Sequence, residues 1–282
     1  MRAKALGMCF GVRDAIDLAS SHVEAAPLTI LGDLVHNGAV LADLRDKGIA
    51  TAHSPAEVAT GTVMVTAHGT SEKTLATVRA RGLRVVEATC PLVHVAHRAV
   101  RALLRDGYHP IIIGRRDHVE VRGLTDDLAE FDVVLEESDV QQLIERPRLG
   151  IAAQTTQPIE RVRRLVALIR ARFPNADVRF IDTVCLPTKQ RQDAAVQLAG
   201  QCDVVIVVGG AASNNTRELV KTCAQHCSRV HQVEQACDVR AEWFAGTDIV
   251  GVTAGTSTPD AVIDLVEQQI RSLADSGRHL TA

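Results

Sequence analysis

Three of the seven cysteines share one setting. Cys9 in "MCFG", Cys90 in "TCPL" and Cys185 in "VCLP" each follow a strand-like run and precede a helical pattern, and they lie 81 and 95 residues apart. Thiolates are ligands for zinc and the normal ligands of iron–sulfur clusters. Three of them converging on a metal would leave a coordination position open, to water on a catalytic zinc or to substrate on one iron of a cluster. Spacing this long chooses between neither metal, and three unrelated thiols stand as a third reading. The odd count and the lack of any C-x-x-C speak against a disulfide framework. Cys202, Cys223, Cys227 and Cys237 lack the setting and read as packing residues, Cys223 and Cys227 four apart on a predicted helix.

A second group of residues suits an anion. "VTAHGTS" at 65–71, "IAAQTTQ" at 151–157 and "VTAGTST" at 252–258 each end an apolar run, pass through small polar residues and enter a helical pattern. "LVHN" at 34–37, "RRDHVE" at 115–120 and "GGAASNN" at 209–215 form a second recurring polar set. Together they carry His36, Asn37, His68, Thr70, Ser71, His118, Glu120, Thr155, Thr156, Ser213, Asn214, Asn215, Thr216 and Ser257. Imidazoles, hydroxyls, amides and free helix-end N–H groups, with few fixed charges, suit a phosphate or diphosphate. Neither the P-loop pattern nor the dinucleotide glycine pattern is present.

The elements that must position these loops are α/β units. "TVMVTA", "LRVVEA", "HPIIIG", "RLGIAA", "DVRFID", "CDVVIVVG" and "DIVGVTA" read as buried strands, and they alternate with helical patterns such as "SEKTLATVRARG" and "PIERVRRLVALIRARF". That alternation predicts parallel sheets, whose ligand sites lie beyond the carboxyl ends of the strands. Pro91, Pro158 and Pro259 suit first helical turns, where no amide donor is needed. The recurring loops divide the chain into three pseudo-repeated α/β lobes, 10–90, 91–185 and 186–282, with 1–9 as a segment associated with a shared central site. The arrangement is trefoil-like.

Composition excludes several classes. With 31 Lys plus Arg against 34 Asp plus Glu, the net charge of −3 gives no general grip on nucleic acid, and 2% aromatics leave few rings for stacking bases. No apolar run reaches the ~20 residues that span a bilayer. The first residues, "MRAKALGMCFGVRDAID", lack a long apolar h-region and a clear cleavage site, so the expected location is cytoplasmic.

In order along the chain, "MCFGV", "LVHN", "TAHGTS", "EATCPLV", "HVE", "AAQTT", "VCLPTKQRQDA", "VVGGAASNNTRELV" and "GVTAGTSTPD" resemble the motifs of the 4-hydroxy-3-methylbut-2-enyl diphosphate reductases, the LytB/IspH family. The motifs run from Cys9 to Asp260, and the ordered set is far more specific than any one of them. The resemblance implies three α/β lobes around a central iron–sulfur site and the reductive dehydroxylation of an allylic alcohol diphosphate to isopentenyl and dimethylallyl diphosphate. It implies a [4Fe–4S] cluster on Cys9, Cys90 and Cys185, whose fourth iron binds the substrate's terminal oxygen. Glu120 matches the proton donor, His118 the diphosphate site or proton relay, and Thr155 the threonine beside the reacting hydroxyl. His36, His68, Ser213, Asn214, Asn215 and Ser257 match diphosphate contacts, with Thr156 a neighbour. Thr188 and Arg191 follow Cys185 and would support cluster or loop without touching substrate. Two electrons per turnover imply an external donor, ferredoxin or flavodoxin.

The pattern has departures. Phe10 stands where the family has Ala, a bulkier group expected to alter packing over the cluster. Arg115 replaces a His, and Val119 replaces a Pro, which frees the loop of His118 and Glu120. Asn214 replaces a Ser, and Leu186-Pro187 an aromatic-Ala pair. Competing readings are a three-cysteine iron–sulfur enzyme with quinolinate-synthase-like chemistry and a non-enzymatic iron–sulfur sensor. A placed acid at Glu120 speaks against the sensor.

Overall fold

A computed structural model of the protein describes residues 1–23 and 26–279. In chain order the main elements are α1 (Phe10–Val23), β1 (Leu28–Leu31), α2 (Gly38–Asp46), β2 (Ala50–Ala52), β3 (Thr62–Val65), α3 (Glu72–Ala80), β4 (Arg84–Glu87), α4 (Pro91–Arg105) and β5 (His109–Ile113). They continue with α5 (Val119–Thr125), β6 (Asp132–Val134), α6 (Glu137–Gln142), β7 (Arg148–Ala153), α7 (Ile159–Arg172), β8 (Asp177–Phe180) and α8 (Leu186–Ala199). The last are β9 (Val204–Val208), α9 (Asn214–Ala224), β10 (Val230–Val233), β11 (Val250–Ala254) and α10 (Asp260–His279).

The strands form three sheets, ordered β2-β1-β3-β4, β6-β5-β7-β8 and β10-β9-β11, and every strand pair is parallel. This is the α/β class expected from the alternation, because parallel neighbours require crossover helices. By contact the chain forms two compact units. One contains Met1–Phe10, His36–Val40 and Leu186–Ala282; the other contains Gly11–Val35 and Leu41–Cys185.

The first unit is built on β9, whose five residues Val204–Val208 are all buried. Valines and isoleucines on both faces mark a parallel strand covered on both sides, and each such side chain contributes about 1.5–3 kcal/mol when fully buried. One face packs Val205 and Val207 with α8 and α9; the other packs Val204, Ile206 and Val208 with α10. The N-terminal segment runs along β11, with the Ala3 N–H donating to Val252 O at 2.9 Å and the Gly7 N–H to Ala254 O at 3.2 Å.

The second unit carries the other two sheets. Residues two apart on a strand share a face. Thus Ile111 and Ile113 meet Val162, Leu165 and Ile169 of α7, while Ile112 meets Ala96, Val100 and Leu103 of α4. Helix α4 begins at Pro91 with Cys90 as its N-cap and buries Val93, Ala96, Ala99, Val100 and Leu103, a single stripe at helical spacing. The two lobes of this unit are joined where α5 ends and α3 begins. Asp127 accepts from the N–H groups of Glu72 (2.8 Å) and Lys73 (3.0 Å), and Lys73 Nζ donates to Asp126 O at 2.6 Å. Acid at a helix start meets the free amides there.

All seven expected strands are present, but β1, β2, β6 and β10 add to them. Of these, β2 and β6 have three residues each, too short to show a period. Pro91 occupies the first helical position, as expected, whereas Pro158 is the N-cap of α7 and Pro259 directly precedes α10. Helix α9 ends at Ala224, so Cys227 lies beyond it; the Cys227 N–H donates to Cys223 O at 2.9 Å. Both thiols still pack in the core, with Cys202 against them. Burial first, then the neighbouring Cys227 and Cys202, push the Cys223 thiol up to about 12, which keeps it protonated and inert. Cys237 departs from the packing expectation: it is exposed in a short 3-10 turn, Ala236–Asp238.

Candidate functional site

The second unit holds His68, Cys90, His118, Glu120, Thr155, Thr156 and Cys185. All stand at or just beyond strand ends: His68 after β3, Cys90 after β4, His118 and Glu120 after β5, Thr155 and Thr156 after β7, and Cys185 after β8. Glu120 is 1% exposed. One carboxylate oxygen accepts from the Thr155 N–H at 2.6 Å and the other from Thr155 Oγ1 at 3.0 Å. Burial pushes the Glu120 carboxyl up to about 7; the two Thr155 donors pull the other way and do not overcome it. The carboxyl therefore keeps its proton to much higher pH than an exposed glutamate does.

His118 caps α5. The Glu120 N–H donates to His118 Nδ1 at 3.1 Å, so Nδ1 is the acceptor and Nε2 bears the proton. The His68 ring meets the His118 ring edge-on, centroids 5.5 Å apart. The loop that leads to Val119 is held by two hydrogen bonds. The Arg115 N–H donates to Gln154 Oε1 at 3.1 Å, and the His118 N–H to Arg115 O at 3.0 Å. Gln154 is fully buried; its Nε2 also donates to Thr156 Oγ1 at 3.1 Å, while its Oε1 accepts from Gln157 Nε2 at 3.1 Å. It joins the Glu120 loop to the Thr155 loop. Sequence reading passed over it, although its place between the strand "IAA" and Thr155 was a signal.

Two backbone bonds set the thiols of this unit. The Cys90 N–H donates to Ala67 O at 3.1 Å, and the Cys185 N–H to Thr155 O at 3.0 Å. Each cysteine is thereby tied to the neighbouring polar loop. Thr183 fixes the approach to Cys185: its Oγ1 accepts from the Ala153 N–H at 2.8 Å and donates to Ala153 O at 2.6 Å. Gly11 adds a third constraint, because a Cβ built there would fall against Cys90 Sγ. Only glycine lets the start of α1 pack this closely against the sulfur.

The first unit holds Cys9, His36, Ser213, Asn214, Asn215 and Ser257. The Cys9 N–H donates to Thr256 O at 3.0 Å, so the N-terminal segment that follows β11 ends with its thiol at the start of α1. Ser213 caps α9 and accepts from the Thr216 N–H. Asn215 Oδ1 accepts from the Thr256 N–H at 3.0 Å, and Ser257 Oγ donates to His36 O at 3.2 Å. The Asn215 Nδ2 is buried with no hydrogen-bond partner among the described residues. A buried, unsatisfied amide costs about 1–3 kcal/mol, which an anionic ligand's oxygen would relieve. Asn214 is 2% exposed in the first turn of α9. Phe10 and Leu186 are 46% and 61% exposed.

All three cysteines are half-buried and outside any disulfide, and each stands at the entrance of a helix, where amide dipoles favour negative charge. Comparison with known proteins accords with these features. The family described as LytB protein matches residues 1–271. The 4-hydroxy-3-methylbut-2-enyl diphosphate reductase of Geobacter sp. (strain M21) is 37% identical over 274 residues, covering 96% of each chain. That of Anaeromyxobacter sp. (strain K) is 36% identical over 276 residues, covering 96% of this chain and 98% of its own. Among solved structures, an (E)-4-hydroxy-3-methyl-but-2-enyl diphosphate reductase described as the terminal enzyme of the non-mevalonate pathway is 33% identical, with a TM-score of 0.70 over 96% of this chain and 98% of that one. The Plasmodium falciparum E-1-hydroxy-2-methyl-but-2-enyl-4-diphosphate reductase is 25% identical, with a TM-score of 0.89 over 96% and 86%. With its motifs, its parallel sheets and its near-complete coverage all in agreement, the chain belongs to the LytB family.

Proposed function

We propose that the chain is an iron–sulfur oxidoreductase that reduces 4-hydroxy-3-methylbut-2-enyl diphosphate to isopentenyl and dimethylallyl diphosphate, the last step of the non-mevalonate pathway. The observation that carries the residue assignment is Glu120, a fully enclosed acid gripped by both donors of Thr155 and protonated up to about pH 7. The reaction breaks the allylic C–O bond, takes up two electrons and two protons, forms one C–H bond and releases water. A hydroxyl leaves readily only when protonated, so a buried neutral carboxyl is the required donor. Thr155 orients it, and the neutral His118, with its Nε2–H, relays or donates hydrogen bonds beside it. His36, His68, Thr156, Ser213, Asn214, Asn215 and Ser257 bind the diphosphate. The orphaned amide of Asn215 supports that role.

Cys9, Cys90 and Cys185 hold a [4Fe–4S] cluster. The half-buried thiols at helix entrances, none of them in a disulfide, fit such a group. When bound, it supplies the electrons and a Lewis-acidic iron with an open coordination position. Ferredoxin or flavodoxin serves as the external donor. Three lobes, 10–90, 91–185 and 186–282, with 1–9 at the shared centre, are the matching division of the chain. The enzyme works in the cytoplasm; no described helix is long and apolar enough to cross a membrane.

Anaerobic reconstitution with iron and sulfide, followed by turnover of the allylic diphosphate with a chemical reductant, tests the reading. Substrate that stays unreduced by a protein with a complete cluster would defeat it. Glu120→Gln is expected to keep KM and lower kcat by roughly 10²–10⁴-fold, the usual contribution of a placed acid.

A further inference from the structure

Arg191 lies on α8, is 8% exposed, and spreads its guanidinium over three backbone carbonyls of the first unit. Its Nε donates to Gly7 O at 2.8 Å, one terminal nitrogen to Pro187 O at 3.0 Å and the other to Met8 O at 3.3 Å. Met8 immediately precedes Cys9, and Pro187 lies two residues after Cys185. One rigid cation therefore ties the loop that presents the first thiol to the first turn of the helix that follows the third. Gly7 has φ +72°, and a Cβ there would meet Ile263 Cδ1 at 2.8 Å, so this loop has a single tight path against α10. Its carbonyls are turned toward α8 and need a donor there.

We infer that Arg191 is a positioning residue for the metal centre: it braces the segment that presents Cys9 against the first turn of α8, the helix that directly follows Cys185, without touching substrate. The inference rests on the cluster reading above. The planar fork is essential to it, because five donors in fixed directions reach three carbonyls at once, whereas a lysine ammonium is a compact point charge that cannot span them. Groups that orient metal ligands in this way typically affect metal affinity 10–100-fold when replaced.

The test compares the reconstituted wild-type protein with Arg191→Lys and Arg191→Gln. The readouts are iron and sulfide per chain, the rate at which an iron chelator bleaches the cluster absorbance, and the electron paramagnetic resonance signature after reduction. Leu198→Ala, which deletes core packing on the same helix, serves as the control for plain destabilisation. Expected are a ~10-fold or faster loss of cluster and an altered signature in both Arg191 variants, with lysine failing to rescue, while Leu198→Ala lowers the thermal midpoint and keeps the wild-type signature. Should Arg191→Gln not fold, Arg191→Lys carries the comparison alone. Cluster loss and signature matching wild type in Arg191→Lys, or altered equally in Leu198→Ala, would overturn the inference. A wild-type protein that takes up no cluster would instead overturn the cluster reading itself.

Discussion

Burial of an acid without a cation leaves a pH signature that can be worked from the structure. Glu120 is pushed from an ordinary value near 4.5 to about 7 by burial, against the pull of the two Thr155 donors. The folded state thus holds the proton more tightly than the unfolded one. Below about pH 4.5 both states carry it and Glu120 adds no cost. Between about pH 4.5 and 7 the unfolded chain releases its proton while the folded one keeps it, so stability falls as pH rises. Above about pH 7 both are ionised and the cost is complete. At ~1.4 kcal/mol for each tenfold change in proton affinity, the full cost is about 3 kcal/mol. Glu120→Gln removes the titration but keeps the contacts: the amide oxygen accepts from the Thr155 N–H and the amide nitrogen donates to Thr155 Oγ1. The stability of the glutamine variant relative to wild type is therefore expected to rise by roughly 2–3 kcal/mol between pH 5 and pH 8. Anaerobic urea unfolding of both proteins across that range measures it, and the comparison cancels every other group that titrates. A difference that is flat with pH, or that shrinks as pH rises, would refute the burial argument and with it the neutral acid.

Further expectations follow from single contacts. Thr155→Val removes one donor to the ionised form, so Glu120 should hold its proton to higher pH; the alkaline limb of kcat, read from a pH profile, should move upward while its height drops. Gly11→Ala puts a methyl group against Cys90 Sγ; iron content after reconstitution should fall, with the far-ultraviolet circular dichroism unchanged. Cys90→Ser should lose the brown absorbance of the cluster, whereas Cys223→Ser, which places a hydroxyl in the apolar core, should keep the absorbance and cost about 1–3 kcal/mol in unfolding. Asn215→Ala removes the orphaned amide; KM for the diphosphate should rise more than kcat falls.

The sequence alone carried the class of fold and the identities of the polar loops. Apolar runs such as "CDVVIVVG" are long enough to declare a strand covered on both faces, and the alternation with helices leaves parallel sheets as the only short-connection solution. It also picked out Cys9, Cys90 and Cys185, because a thiol directly before a helix has a recognisable local context. The three-residue strands β2 and β6 were not legible, since too few residues remain to show a period and their pairing comes from neighbours far along the chain. Tertiary structure decided what each polar group does. The motif resemblance marks Glu120 as the proton donor, but its raised proton affinity appears only when Thr155, 35 positions away, closes on both its oxygens and water is shut out. The resemblance marks Arg191 as a support for cluster or loop, but which groups it holds appears only when its fork meets carbonyls 183 and 184 residues distant. Proton affinity depends on solvent exclusion, and bracing on which backbone groups face one another; neither is a local property of the chain.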